Sequence, residues 1–245
     1  MTADPNVAGA LAGSCTFANE QLPDVLPAEP FATFATWLGE AHAKKTQPNP
    51  NAVTLATVDS HGAPQARVVL CRGVDQTLGT ITFFTNYDSD KGIQAEQAGK
   101  VAAVFHWDHL DRQVRMVGVV VRASAAVSDA YFARRPVMSR IAAWASAQSR
   151  PLASRAALMA QNAEIEKRFG IVRTGDGDAG AIVPDGLVVP RPENWGGFVL
   201  WTQSVELWLG HSWRLHDRAR YERDLGAPVD GGFAPGAWSA QRLQP

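Results

Sequence analysis

Cysteine is scarce in this chain: there are two in 245 residues, Cys15 and Cys71. Such a pair cannot build a disulfide framework or a four-thiolate metal site, and it favours a reducing compartment, with the cytoplasm as the expectation. A surplus of charge is missing too. Lys and Arg total 23 against 24 Asp and Glu, a net charge of -1, so no global basic field exists to recruit nucleic acid and any anion site must be local. Long apolar runs are absent. Stretches such as 67–71 and 117–121 fall far short of the roughly 20 residues that cross a bilayer, so no membrane partner is expected. The opening MTADPNVAGALAGSC has no basic segment before its small apolar run, which argues against a signal peptide. G-x-S-x-G, the P-loop and G-x-G-x-x-G are missing, so hydrolase, nucleotidase and dinucleotide-wrapping readings have no support. The cluster His106-Trp-Asp-His109 would put its imidazoles on opposite faces of a strand, with no H-E-x-x-H helix and no cysteines close enough to complete a zinc site. No metal is expected.

What is present suits a folded domain. Hydrophobic residues make up 46% and charged residues 19%, a balance that can fill a core and argues against wholesale disorder. Residues 1–27 lack periodicity and read as a mobile arm, leaving 28–245 as one domain. In 30–45, Phe31, Phe34, Trp37, Leu38 and Ala41 fall at helical spacing behind Pro30, predicting an amphipathic helix. The period then changes. AVTLATV, ARVVLCR and ITFFTN are strand-like runs separated by turn-rich segments; 89–99 is helix-compatible with Ser89 or Asp88 as cap; VAAVFHW and RQVRMVGVVVRAS return to strand. Helices are predicted over 128–135, 139–149 and 152–169, followed by an exposed loop at about 170–194 rich in Gly, Asp and Pro. GGFVLW, SVELWLG and WRLHDRARYER then read as strands, with WSAQRLQP last. The fold class is therefore mainly β with flanking helices (α+β), about eight antiparallel strands in a closed or nearly closed barrel.

Arginines inside strand patterns point to the chemistry, because a charged side chain there needs a partner. Arg67 and Arg72 bracket VVLC. Arg214, His216 and Arg218 alternate, and in a strand they would share one face, where three cations call for an anion unless the face is simply solvated. Tyr131, Arg135 and Ser139 recur at intervals of four along a helix and its following turn, a trio able to hold a phosphate or to form an ordinary basic helix end. Ser89-Asp90-Lys91 sets a cation at a helix start, although Asp90 opposes an anion there. Trp208, six residues before Arg214, could contact a flavin or a pyridine.

Together ARVVLCRG, FFTNYDSDKG, HWDHLDRQVRMVG, YFARRPVMSRIAAWASAQS, NWGGF, VELWLG, RLHDRARYER and the terminal RLQP resemble the pyridoxine/pyridoxamine 5'-phosphate oxidase family, in order, over about 30–245. The resemblance implies an FMN-binding split barrel that works as a homodimer. It implies FMN contacts at Arg67, Arg72, Phe84, Thr85, Lys91, Gln113, Gln148, Ser149, Trp208 and Arg218, with the Gln148-Ser149 segment coming from the other subunit. Substrate contacts fall on Arg72, Tyr131, Arg135, Ser139, Arg214 and His216, with Arg214 and His216 as the candidate catalytic pair. The implied reaction oxidises pyridoxamine or pyridoxine 5'-phosphate at C4', with dioxygen as acceptor. The alternatives are a non-catalytic binder of flavin or pyridoxal phosphate and a split-barrel oxidase for another planar substrate.

The chain departs from the family pattern at the usual Lys, here Arg72; at the usual Ser-Arg-Lys, here Ser89-Asp90-Lys91; and at the usual Tyr-Thr, here Phe84-Thr85. The loop after Gly170 is also longer than expected. An acidic residue beside the cofactor phosphate should make FMN binding more salt-sensitive, and Asp90→Arg is expected to tighten it.

Overall fold

A computed structural model describes residues 20–175 and 180–245. Helix α1 (Phe31–Lys44) buries Phe31, Phe34, Trp37 and Ala41 along one stripe. Its start is held by the Glu29 carboxylate, which accepts the N–H groups of Phe31 (2.6 Å) and Ala32 (3.1 Å), and it ends where Lys45 turns left-handed (φ 54). Phe34 then packs on Phe105 and Trp107, at ring separations of 4.9 and 6.3 Å. The stripe thus joins the barrel's own core.

The barrel strands are β1 (Ala52–Val58), β2 (Pro64–Asp75), β3 (Thr80–Asn86), β4 (Lys100–Trp107) and β5 (Arg112–Arg122). Helix α2 (Asp90–Ala98) lies between β3 and β4, capped by Ser89 and ended by left-handed Gly99. Three helices follow: α3 (Ala125–Ala133), α4 (Val137–Ala145) and α5 (Arg155–Arg168). After the small hairpin of β6 (Val172–Arg173) and β7 (Ala181–Ile182) comes β8 (Trp195–Leu209), then β9 (Asp217–Glu222), the hairpin β10 (Pro228–Val229) and β11 (Gly232–Phe233), and β12 (Ser239–Arg242).

All neighbours pair antiparallel in the order β12-β9-β8-β3-β2-β1-β4-β5, and β5 closes back onto β8, making a six-stranded ring. GGFVLW and SVELWLG, expected as two strands, are the one 15-residue strand β8. One edge of β8 runs along β5; the other is shared, with β3 taking its first half and β9 its second. Gly118 permits the β5–β8 register shift, since a Cβ there would sit 2.0 Å from the Trp201 carbonyl oxygen.

The ends of the chain also differ from expectation. Residues 1–19 of the predicted arm lie outside the described residues, but residues 20–27 are tied to the barrel. Leu22 is buried, its N–H donates to Asp217 (2.9 Å), and Arg242 donates to the Leu22 and Pro23 carbonyls (2.7 and 2.9 Å). Glu20 and Glu40 converge on Arg112, whose side chain is 4% exposed and lies 5.0 Å from the Trp37 ring centroid. The predicted loop at 170–194 includes the β6–β7 hairpin and buries Ile171 and Val189 beneath α4 and α5, so its apolar residues anchor it.

Candidate functional site

A cleft of about 810 Å³ opens between β2, the end of β3, the start of α2, the α3–α4 turn and Trp195. Among the described residues four cationic side chains line it, Arg72, Lys91, Arg134 and Arg135, and no carboxylate does. Because the chain as a whole carries -1, this is a strong local excess of positive charge. Its consequences are visible in the groups themselves. Burial pushes the Lys91 ammonium below its ordinary value, and the neighbouring Arg67 pushes it further while Asp90 partly offsets both. Burial does the same to Arg135, where Tyr131 opposes the shift and Arg72 adds to it. Arg135 Nη1 is buried without a hydrogen-bond partner among the described residues, the signature of a donor that awaits an anion.

The fold assembles this cleft from distant segments. Tyr131 lies in the last turn of α3, Arg135 sits in the turn that follows, and Ser139 lies in α4, and all three line the same cleft. Phe84 stacks on Tyr131 (centroids 3.9 Å, planes 12° apart), while Arg135 lies 4.6 Å from the Trp195 ring centroid. At the other wall Lys91 Nζ donates to Gln148 Oε1 (2.8 Å) and Ser89 Oγ (3.1 Å), and Thr85 Oγ1 also reaches Gln148 Oε1 (3.2 Å). Arg67 donates to Thr57 Oγ1 (2.5 Å) and Gln94 Oε1 (3.1 Å) under the same helix start. Gln148 therefore joins Thr85 and Lys91 within one chain. This corrects the expectation that the Gln148-Ser149 segment and the barrel strands meet only across a subunit boundary. Ser149 follows in left-handed geometry (φ 71), inside a turn that the Arg150 N–H closes onto the Ala147 carbonyl (3.0 Å).

The remaining expected residues cluster elsewhere, and none of them lines the cleft. Gln113 pairs with Trp208, and Trp208 with Arg218, across β5, β8 and β9. Trp208 lies 4.6 Å from the His216 ring. Thr85 pairs with Gly196 and Gln113 with Trp208, so the two clusters are twelve residues apart along β8, about 40 Å of extended strand. One chain cannot bring them together.

The shared strand face expected for Arg214, His216 and Arg218 is not formed. Residues 212–214 make a short 3-10 turn in which Trp213 and Arg214 both have φ 62, and β9 starts only at Asp217. A period-two argument holds only for extended backbone, and here the chain folds back on itself first. The turn leaves Trp213 91% exposed. It also lets the His211 N–H donate to His216 Nδ1 (3.1 Å). That bond needs a neutral ring with its proton on Nε2. Burial, followed by His211 and Arg214, lowers the His216 value and so favours that neutral form, against a smaller pull from Asp111.

Sequence reasoning missed Glu206. Its side chain is 6% exposed and holds Arg115 (2.8 Å), Arg218 (2.8 Å) and Arg220 (3.7 Å). A lone carboxylate in the apolar run VELWLG was the available signal. Arg134, a fourth cation of the cleft, and Arg150, paired with Asp90 at 2.7 Å, were also missed. His106 and Asp108 lie 3.9 Å apart, both exposed, and no group of three metal-ligating side chains occurs among the described residues. No helix among those residues is long and apolar enough to cross a membrane.

Comparison with known proteins decides what such a barrel and cleft belong to. Residues 40–169 match the family model described as Pyridoxamine 5'-phosphate oxidase, and residues 195–245 match the Pyridoxine 5'-phosphate oxidase C-terminal dimerisation region. The chain belongs to the pyridoxine/pyridoxamine 5'-phosphate oxidase family. It is thus an enzyme of a flavoprotein oxidoreductase family built on the split barrel. The pyridoxine/pyridoxamine 5'-phosphate oxidase of Cereibacter sphaeroides is 42% identical over 218 residues, covering 89% of this chain and 95% of the relative. That of Brucella canis is 45% identical over 219 residues, with the same coverage of 89% and 95%. Among solved structures, PhzG from Burkholderia lata 383, in complex with tetrahydrophenazine-1-carboxylic acid, matches with a TM-score of 0.73 and 28% identity, covering 91% of this chain and all of that one (100%). A pyridoxamine 5'-phosphate oxidase-related, FMN binding protein from Nostoc punctiforme shares the fold, with a TM-score of 0.61, 17% identity and coverage of 91% and 99%.

Proposed function

We propose that the protein oxidises pyridoxamine 5'-phosphate or pyridoxine 5'-phosphate to pyridoxal 5'-phosphate with FMN as cofactor, reducing dioxygen to hydrogen peroxide and, for the amine, releasing ammonia to water. The observation that carries this reading is the cleft lined, among the described residues, by four cations and no carboxylate, with the orphaned Arg135 Nη1 on its wall. That donor set fits two phosphates. When bound, FMN supplies the redox chemistry, taking a hydride equivalent from C4' of the substrate and passing electrons to dioxygen.

The chain's residues bind and orient. Lys91 and Gln148, which line the cleft, hold the cofactor phosphate beside the N-terminus of α2 together with Arg67 and Ser149, which neighbour them outside the lining, and Phe84 and Thr85 lie along the same wall. Arg72, Tyr131, Arg135 and Ser139 hold the substrate phosphate. Gln113, Trp208 and Arg218 approach the flavin from a second copy of the chain, and Arg214 and His216 of that copy orient the substrate ring. The separation of the two clusters along β8 and the match of 195–245 to a dimerisation region support the homodimer. His216 offers its Nε2–H as a donor to the substrate while Nδ1 stays engaged by the His211 N–H.

The test is direct. With FMN added and each phosphate supplied in turn, pyridoxal phosphate and peroxide should form in equal amounts, and for the amine one water is consumed in hydrolysing the imine as one ammonia is released. Bound flavin without either product would overturn the reading in favour of a binding protein. The likeness to PhzG supports a second reading, a larger planar acid as substrate. Turnover of such an acid, with none of the two vitamin phosphates, would favour it. An active, flavin-loaded monomer in sedimentation would rule out the shared site.

A further inference from the structure

Asp90 is the residue of this chain least suited to a phosphate site, and its surroundings explain how it is tolerated. It is the first residue of α2, and the backbone N–H groups of Asp90 and Lys91 donate to no described residue. That leaves free donors at the positive end of a nine-residue helix, beside Lys91 and Arg67. The Asp90 carboxylate does not face them alone. Arg150 Nη2 donates to Asp90 Oδ1 (2.7 Å) and to the Asp88 carbonyl (3.1 Å), while its Nε and Nη1 have no partner among the described residues. The guanidinium therefore stands at the helix start with its remaining donors open. It comes from the same turn that delivers Gln148 to Lys91, where Ser149 adopts a left-handed conformation.

We propose that Asp90 is a positioning residue for Arg150, and that Arg150 supplies the cofactor phosphate with the guanidinium that the usual Ser-Arg-Lys pattern carries at position 90. The charge arrangement is exchanged between two segments sixty residues apart in sequence. An ion pair this exposed adds little to folding stability, so what it fixes is where Arg150 sits. The proposal rests on the FMN reading above and reverses the expectation from sequence. Asp90 holds a cation in place, so removing its charge weakens phosphate binding.

FMN and riboflavin titrations of the flavin-free, full-length protein, followed by flavin fluorescence, test this, because the two ligands differ in the phosphate alone. Arg150→Ala should weaken FMN about tenfold, the loss of one charge-assisted contact, and leave riboflavin within about twofold. Asp90→Asn should weaken FMN in the same sense, where plain electrostatic repulsion would have it tighten. The exchange variant Asp90→Arg/Arg150→Asp should return FMN to within about threefold of the parent. Unchanged FMN affinity in Arg150→Ala, tighter FMN in Asp90→Asn, or equal losses of FMN and riboflavin would each overturn the proposal while the cofactor reading stands. A parent protein that binds no FMN overturns both.

Discussion

At the cleft, Arg72, Lys91, Arg134 and Arg135 gather with no carboxylate among the described lining residues, whereas at the other end of β8 Arg115, Arg218 and Arg220 surround the buried Glu206 and Arg242 meets Asp217 at 2.9 Å. Both ends are rich in arginine, but only at the second do carboxylates share the site with them. Unanswered cations cost stability and create a demand for an anion, while answered ones fix geometry and leave little to bind. The contrast separates a region that grips phosphate from one that presents aligned side chains.

Glu206 offers the strongest way to break the contrast. Glu206→Gln would leave three arginines without their shared carboxylate, and unfolding free energy should fall by about 3 kcal/mol, as read by urea denaturation. Arg218 would lose its alignment in the same variant. A loss below about 0.5 kcal/mol would mean that Glu206 does not organise this end.

Arg135→Ala probes the opposite end. Loss of one phosphate contact should raise KM about tenfold or more, with a smaller change in kcat and no change in FMN content. Discrimination between phosphorylated and dephosphorylated substrate should shrink to match. Without ligands the variant should stay within about 1 kcal/mol of the parent, because relief of cation repulsion is offset by loss of the Arg135 contacts with the Trp195 and Phe132 rings, as thermal unfolding of the flavin-free protein would show.

His216 sharpens the comparison through pH. Its lowered value means that the folded protein holds the neutral ring more firmly than the unfolded chain does. The His211 N–H bond is therefore fully present above the ordinary histidine value of about 6.5 and is lost as pH falls through the lower folded value. The pH profile of kcat should show an acid limb in that range. His216→Asn, whose amide oxygen can accept the same N–H, should lower kcat and flatten the limb. A limb unchanged in that variant would assign it to another group. The smallest effect is expected from Arg72→Lys, which keeps the charge at an exposed rim position and should move KM by about twofold.

Much of the fold was legible because its signals are local. Alternation marked β1 and β4, the aromatic stripe marked α1, and Ser89 with Gly99 bracketed α2. The cleft's phosphate-facing trio was legible from its four-residue spacing, although Tyr131 and Ser139 occupy two helices broken at Pro136. What escaped depends on backbone or partners that spacing does not encode. Trp213 and Arg214 adopt positive φ without a glycine to announce it. The pairs Asp90–Arg150 and Glu206–Arg115 join segments sixty or more residues apart, and no local pattern distinguishes such arginines from solvated ones. The sharing of β8 between β3 and β9 is likewise a property of the closed sheet, not of any one run.

That sharing also bears on how the molecule opens and closes in time. Along β8 the half beside the cleft, paired with β3 and β5, and the half beside Glu206, paired with β5 and β9, belong to one strand, and the β5–β8 register shift between Thr202 and Ser204 marks the joint between them. Local fluctuations can peel away β12, the small hairpins or β9, all outside the ring, but exposing the β8 amides that pair with β3 or β5 requires the ring itself to come apart. Ligand captured at the cleft should therefore slow hydrogen exchange at the β5-paired amides of β8 in both halves, those beside Glu206 included.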